Sequence, residues 1–260
     1  MYLKNFFMAK IRIIPRLDIK GPNVVKPVMT EALRVVGNPK GLANLYYKEG
    51  ADEIIYMDIV ASLYGRNLDF DQLRAVTEGI FIPFTVGGGI RSIQDVNNVL
   101  RAGADKVAIN TYAVSHPKFL RQAVETFGAQ CIVLSVDAKR QSDGSWEAYT
   151  DGGRERTGRD VISWVKQGLG QGVGEILIAS VDRDGTRKGY EIDLIGKISS
   201  FSPVPVIVHG GAGSLDSFRK AVVDGHADAL SASSVFHYKE LGIRRVKNYL
   251  LSEKIDVRKI

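Results

Sequence analysis

The chain has 260 residues, with 35 Lys and Arg against 29 Asp and Glu, a formal net charge of +6, and a composition 45% hydrophobic and 25% charged. That balance excludes a disordered or fibrous chain, and the length suits either two small domains or one α/β barrel of about 250 residues. A lone cysteine, Cys131, excludes a disulfide framework and a cysteine-rich zinc site. The positive charges are scattered, which reads as a solvated surface rather than a nucleic-acid face and is compatible with an anionic substrate. No apolar run approaches the roughly 18 residues of a membrane span. The opening MYLKNFFMAK is a poor secretion signal, so the expected compartment is the cytoplasm.

In chain order, the spacing predicts eight strands: Ile11–Leu17, Glu53–Ile59, Pro83–Val86, Lys106–Ile109, Cys131–Val136, Glu175–Val181, Pro205–Val208 and Ala229–Ala232. Most are nearly continuous apolar runs, as expected of parallel strands buried on both faces. Helices fill the intervals. Asn38-Pro39 opens the first and Gly50 ends it; Ser92 caps the third; Ser214 caps the seventh and Gly225 ends it. Eight strand–helix units without a linker predict a single α/β domain over 1–260, a (β/α)₈ TIM barrel, with 1–8 as an N-terminal extension. An open doubly wound sheet would usually have fewer strands.

An internal repeat organises the chain. Leu17-Asp18-Ile19-Lys20 matches Val136-Asp137-Ala138-Lys139 at an offset of 119. Met57-Asp58-Ile59 matches Val181-Asp182-Arg183, and Gly88-Gly89 with Asn110-Thr111 matches Gly210-Gly211 with Ser233-Ser234. A repeat of this length is too long for a solenoid. It predicts two half-barrels, about 9–127 and 128–251, so functional features should come in pairs.

Barrel active sites lie at the C-terminal ends of the strands. Asp18 closes the first strand and Asp137 the fifth, facing each other across the mouth. One protonated and one ionised carboxylate can serve as general acid and base, the catalytic pair expected here. Loop capping, or pairing with Lys20 and Lys139, is the structural alternative. The turns at Gly87-Gly88-Gly89 and His209-Gly210-Gly211-Ala212-Gly213 each open a helix, where backbone N–H groups favour an anion. With Asn110-Thr111 and Ser233-Ser234 beside them, they suggest a ligand with two phosphates spanning the mouth.

These residues carry a family resemblance. From about Ala9 onward the chain resembles the cyclase subunit of imidazole glycerol phosphate synthase, in the histidine-biosynthesis barrel group. The matching motifs are Leu17-Asp18, Phe84-Thr85-Val86-Gly87-Gly88-Gly89-Ile90, Gly103-Ala104-Asp105-Lys106-Val107, Val136-Asp137-Ala138-Lys139-Arg140, Asp182-Arg183-Asp184-Gly185-Thr186, and Gly210-Gly211-Ala212-Gly213 with Ser234-Val235-Phe236. The resemblance implies a lyase, without cofactor or metal, that takes ammonia from a glutaminase subunit in a heterodimer. Its diphosphorylated substrate, a phosphoribulosyl-formimino aminoimidazole carboxamide ribotide, would yield imidazole glycerol phosphate and the aminoimidazole carboxamide ribotide. It also implies Asp18 and Asp137 as the acid–base pair. Gly89, Asn110 and Thr111 would form one phosphate site, and Asp184, Gly185, Gly211, Ser233 and Ser234 the other, with Lys26 and Asp58 at the mouth.

At the opposite face, Arg12, Glu53, Lys106 and Glu175 begin the first, second, fourth and sixth strands. Two positive and two negative charges make a neutral ring where a barrel interior is ordinarily apolar. The resemblance implies a salt-bridged gate for ammonia; a stabilising feature of the barrel bottom is the alternative.

The chain departs from the family pattern at the mouth. Arg16 stands where a cysteine is usual, and Pro27-Val28-Met29-Thr30 replaces a glycine-led loop. His209 stands where a smaller residue is usual, and Ala179 replaces a hydroxyl. The Gly21-Pro22-Asn23 turn and the Tyr64-Gly65-Arg66-Asn67 loop differ too. These changes bear on the substrate more than on the architecture. Related barrels in surface-polysaccharide pathways, which use ammonia to amidate a nucleotide sugar, are one alternative, and a non-catalytic ammonia conduit is another. His116 and His237 read as surface or capping residues, His226 as a turn residue, and Trp146 and Trp164 as packing. No histidine pair has metal-ligand spacing. Arg154, Glu155 and Arg156 either close over a phosphate or are solvated.

Overall fold

The computed structural model describes residues 10–28 and 31–260. The extension 1–8 and the loop residues Met29 and Thr30 lie outside the described residues. β1 (Arg12–Lys20) runs into β2 (Asn23–Val28) and β3 (Glu31–Gly37), then α1 (Pro39–Lys48). β4 (Ile54–Asp58), α2 (Phe70–Thr77), β5 (Phe84–Gly87), α3 (Ile93–Arg101), β6 (Lys106–Ile109), α4 (Thr111–Ser115) and α5 (Lys118–Phe127) follow. β7 (Ile132–Arg140) leads into β8 (Trp146–Thr150), β9 (Glu155–Asp160) and α6 (Val161–Gly170). The chain continues through β10 (Glu175–Ser180), α7 (Ile192–Ser199), β11 (Val206–His209), α8 (Leu215–Val223), β12 (Ala229–Ala232), α9 (Ser234–His237) and α10 (Ile243–Ser252).

Eight of these strands pair in parallel in the order β1-β4-β5-β6-β7-β10-β11-β12, and β12 pairs back to β1. The sheet is therefore closed, and the expected (β/α)₈ barrel is the observed fold. Closure explains the apolar strand runs: every residue of β5, β10, β11 and β12 is buried, because one face packs inward and the other under helices. Ile14, Ile55, Ala108, Val133, Leu177, Ile207 and Ala229 fill the barrel interior. Tyr46, Trp164 and Phe218 belong to the larger core beneath the helices. The predicted caps are in place: Asn38, Ser92 and Ser214 each accept a backbone N–H from the residue three positions on.

Two features differ from the sequence reading. The first and fifth strands extend past Leu17 and Val136, and each then folds back as an antiparallel hairpin over the mouth. Gly21-Pro22 and Asp143-Gly144 are the turns, with both glycines at positive φ as tight hairpins require. The hairpins stand after corresponding strands. Among the described residues, no helix is long and apolar enough to cross a membrane.

Candidate active site

Because β1 leaves the barrel to form its hairpin, Asp18 is held from both sides. It lies opposite Met57 of β4 and opposite Val25 of β2. Asp137 occupies the corresponding place, opposite Ala179 of β10 and Tyr149 of β8. Neither carboxylate pairs with its neighbouring lysine. Arg16 Nε donates to Asp18 Oδ1 at 2.7 Å, and Lys26 Nζ lies 3.5 Å from Asp18 Oδ2. Lys26 also donates to both oxygens of Asp184, at 2.8 and 2.9 Å. Among the described residues, Asp137 Oδ2 accepts only from the amide of Asn110, at 3.1 Å.

This asymmetry splits the two carboxyl groups chemically. Burial opposes charge on both. At Asp18, Arg16 and Lys26 outweigh that penalty and hold the carboxyl below the ordinary range. At Asp137, burial prevails over the attraction of Arg16, with Asp18 and Asp184 adding repulsion, and the carboxyl is pushed up to about 6. Asp184 is held low despite burial, by Lys26 and His209. Burial and the charges of Arg16 and Lys26 push the His209 imidazole down, so it is neutral near pH 7.

The mouth opens as two lobes. Gly88, Gly89, Asn110, Thr111, Asp58 and Ser62 line the first. Asp18, Ser180, Asp184, His209 and Arg154 line the second. Arg16 and Asp137 line both. Asp58 accepts from the backbone of Val60 and Ala61 and pairs with Arg66 at 2.7 Å, which shapes the turn after β4. Gly89 is at positive φ and donates to Ser62 Oγ at 3.4 Å; Thr111 Oγ1 anchors the N–H of Asp151. The other expected phosphate residues are less gathered. Gly185, Gly211, Ser233 and Ser234 line neither lobe. Gly211 packs its backbone on Gly189, Ser233 Oγ donates to the carbonyl of Arg16 at 3.0 Å, and Ser234 is buried at the start of α9.

At the barrel bottom the four charges form a closed ring. Glu53 receives Arg12 at 2.6 Å and Lys106 at 2.8 Å, Glu175 receives Lys106 at 2.7 Å, and Arg12 also bonds Glu175. Thr85 Oγ1 donates to the remaining oxygen of Glu53 at 2.6 Å. Glu53 is fully buried, and the apolar interior layer lies between this ring and the mouth.

The sequence reading marked Arg16 and His209 only as departures, yet both stand among the acidic residues of the mouth. The extra cation beside Asp18 was the available signal. His237 is neither a surface nor a capping residue: its Nδ1 bonds Tyr46 Oη at 2.6 Å. Arg156, itself exposed on β9, pairs with buried Glu147 of β8, and Trp146 and Trp164 are buried in the core. Among the described residues, no group of three His, Cys, Asp or Glu side chains could hold a metal ion.

Comparison with known proteins agrees with this architecture. The family model described as "Histidine biosynthesis protein" matches residues 12–242. The imidazole glycerol phosphate synthase subunit HisF of Legionella pneumophila is 54% identical over 212 residues, 82% of this chain and all of that protein. The HisF subunits of Geobacillus kaustophilus and Streptococcus mutans are 47% and 42% identical, each over 96% of this chain and all of theirs. With the match spanning nearly the whole barrel, the chain belongs to the histidine biosynthesis protein family.

Proposed function

We propose that the chain is the cyclase subunit of an imidazole glycerol phosphate synthase, a lyase of histidine biosynthesis acting in the cytoplasm. The supporting observation is the unequal pair Asp18 and Asp137 at matched barrel positions, in a chain similar over its length to proteins named HisF. Ammonia and the phosphoribulosyl-formimino aminoimidazole carboxamide ribotide would give imidazole glycerol phosphate, the aminoimidazole carboxamide ribotide and water. Asp18, held ionised by Arg16 and Lys26, suits the base that takes a proton from the attacking nitrogen. Asp137, pushed up to about 6, suits the acid that protonates the departing group. Gly89, Asn110 and Thr111 line the first lobe and would serve one phosphate. Gly211, Ser233 and Ser234 line neither lobe, the Ser233 hydroxyl being given to the Arg16 carbonyl, and would serve the other only after the loops following β11 and β12 rearrange. Asp58 orders the first turn, and Lys26 and Asp184 tie the first hairpin to the loop after β10.

Ammonia would come from a glutaminase subunit docked at the bottom face, entering through the ring of Arg12, Glu53, Lys106 and Glu175. The apolar layer above the ring suits neutral ammonia better than ammonium, because an unpaired ion is costly in such surroundings. Purified chain given the ribotide and ammonium chloride should form both products, and Asp18→Asn should stop it. A chain that binds the ribotide without turning it over would leave the conduit reading instead. Arg16, His209 and Ala179 at the mouth favour a second reading, an ammonia-using barrel that amidates a nucleotide sugar. Product formation from the ribotide decides between them.

A further inference from the structure

His209 ends β11 and lines the second lobe, with its side chain only 3% exposed. Its two ring nitrogens are treated unequally. Nδ1 lies 3.1 Å from the hydroxyl of Ser231, on β12. Nε2 is fully buried and has no hydrogen bond among the described residues, and Asp184 Oδ1 lies 3.5 Å from it. A buried ring nitrogen ordinarily has a partner.

The tautomer follows from the charges around the ring. Burial and the charges of Arg16 and Lys26 keep the imidazole neutral against the pull of Asp184. A bare Nε2 lone pair would be repelled by the Asp184 carboxylate, whereas an Nε2–H is attracted to it. Ser231 then donates its hydroxyl to the bare Nδ1. The backbone keeps the two residues together. A Cβ on Gly210 would lie 2.6 Å from the Ser180 carbonyl oxygen and 3.5 Å from the Asp184 nitrogen, so the turn after β11 packs against the loop that carries Asp184. Ala179, the register partner of His209 on β10, is small and leaves the ring its space. A shift of about half an ångström brings Nε2 within ordinary hydrogen-bond distance of the carboxylate.

Asp184 in turn grips Lys26 with both oxygens, and Lys26 reaches Asp18 Oδ2 at 3.5 Å, so a drift of Asp184 is carried to the base. We propose that His209 is a positioning residue, whose Nε2–H holds Asp184 in place and through Lys26 keeps the first hairpin and Asp18 set for the reaction. The catalytic half of this inference rests on the cyclase reading above; the bond between His209 and Asp184 does not.

Nitrogen-15 NMR of the histidine-labelled chain reads the tautomer directly. Near pH 7 His209 should be neutral with its proton on Nε2. His209→Gln keeps a donor close to the Nε2 position, whereas His209→Asn places its amide near Nδ1 and leaves Asp184 without one. With ribotide and ammonium chloride, His209→Asn should lower kcat about tenfold with KM changed less than about twofold, the size expected of one charge-assisted bond. His209→Gln should recover most of that loss. In an Asp184→Asn background, His209→Asn should cost less than about twofold, because the bond it removes is already gone. A proton on Nδ1, or an equal kcat loss in the two backgrounds, overturns the assignment and leaves the cyclase reading standing. If the parent does not turn over the ribotide, the cyclase reading falls, and urea titrations of the parent, the two Asn variants and their combination judge the bond alone. Coupling between the two substitutions supports it, and additivity overturns it.

Discussion

Lys26 and Asp184, 158 positions apart in the chain, are joined by two hydrogen bonds of 2.8 and 2.9 Å. One end of this bond sits on the hairpin that follows β1, the other in the loop that follows β10. Lys26 is 1% exposed and also lies 3.5 Å from Asp18, so a single buried ammonium faces two carboxylates, with Arg16 supplying the second positive charge. The bond is thus a latch for the hairpin and the largest attraction holding Asp184 charged, while Arg16, ahead of Lys26, holds Asp18 charged.

Lys26→Met should therefore cost about 3–5 kcal/mol at pH 7, because it strands buried carboxylates rather than removing a surface pair. Both carboxyls are held low in the fold, so their contribution is fully present above the ordinary carboxylate range. It is lost progressively as pH falls from there toward the lower folded-state values, whereas without Lys26 both carboxyls would take up protons at higher pH. Urea titrations should show a large deficit at pH 7 and a smaller one near pH 4. A deficit independent of pH would mean that Lys26 acts through packing alone.

Asp137 carries the opposite sign. Its folded-state carboxyl is raised to about 6, so its penalty on stability is absent below the unfolded value, grows as pH rises from there to about 6, and is complete above it. Asp137→Asn should then stabilise the chain by about 1–2 kcal/mol at pH 8 and by much less at pH 4. If Asp137 is the general acid, it must be protonated, so turnover at fixed free-ammonia concentration should decline above about pH 6. In Asp137→Asn that limb should vanish, with a rate lower by about 10² to 10⁴. A variant that keeps both the rate and the limb would move the acid elsewhere.

The barrel was legible because closure buries both faces of each strand, and that leaves an apolar run in the sequence. Lys106–Ile109 and Ala229–Ala232 match the observed strands at both ends. The hairpins were not legible in that way. Asp18 and Asp137 interrupt the apolar runs, and a polar residue inside a strand looks like its end. Asp143-Gly144 was the better local signal. Asp18, Asp137 and the glycine turns could be found because the chain repeats them. Arg16 and His209 belong to one half only, so nothing in the repeat marked them, and their roles emerge from the cluster around Asp18 and Asp184.

The glycine turns are tested by adding a single methyl group. A Cβ on Gly211 would lie 2.1 Å from the Gly189 carbonyl oxygen, with φ at +98°, whereas a Cβ on Gly89 would lie 2.9 Å from the Arg66 carbonyl oxygen. Gly211→Ala should therefore displace the loop before α8 and destabilise the chain by about 1–3 kcal/mol, and Gly89→Ala by less. Thermal melts rank the two directly. Phosphate affinity is better read in Thr111→Val, whose hydroxyl anchors Asp151 beside the first lobe; a loss of several-fold there with an unchanged melt would tie this turn to the anion.

The ring at the barrel bottom separates a conduit from a structural clasp. Lys106 bonds Glu53 and Glu175 at 2.8 and 2.7 Å, and Glu53 is fully buried. Lys106→Met leaves Arg12 to serve both carboxylates, so the ring takes a net negative charge and some loss of stability follows. The question is which activity falls. If ammonia enters here from a glutaminase subunit, opening or charging the ring should change glutamine-dependent turnover several-fold. Turnover with ammonium salt reaching the open mouth should then change far less. A purely structural ring couples to both nitrogen sources equally, because each reaction uses the same folded barrel. The comparison needs the partner, the ribotide and both sources at matched free-ammonia supply, with melts recorded for parent and variant. Equal fractional losses with the two sources, tracking the fall in melting temperature, would remove the conduit role from these four residues.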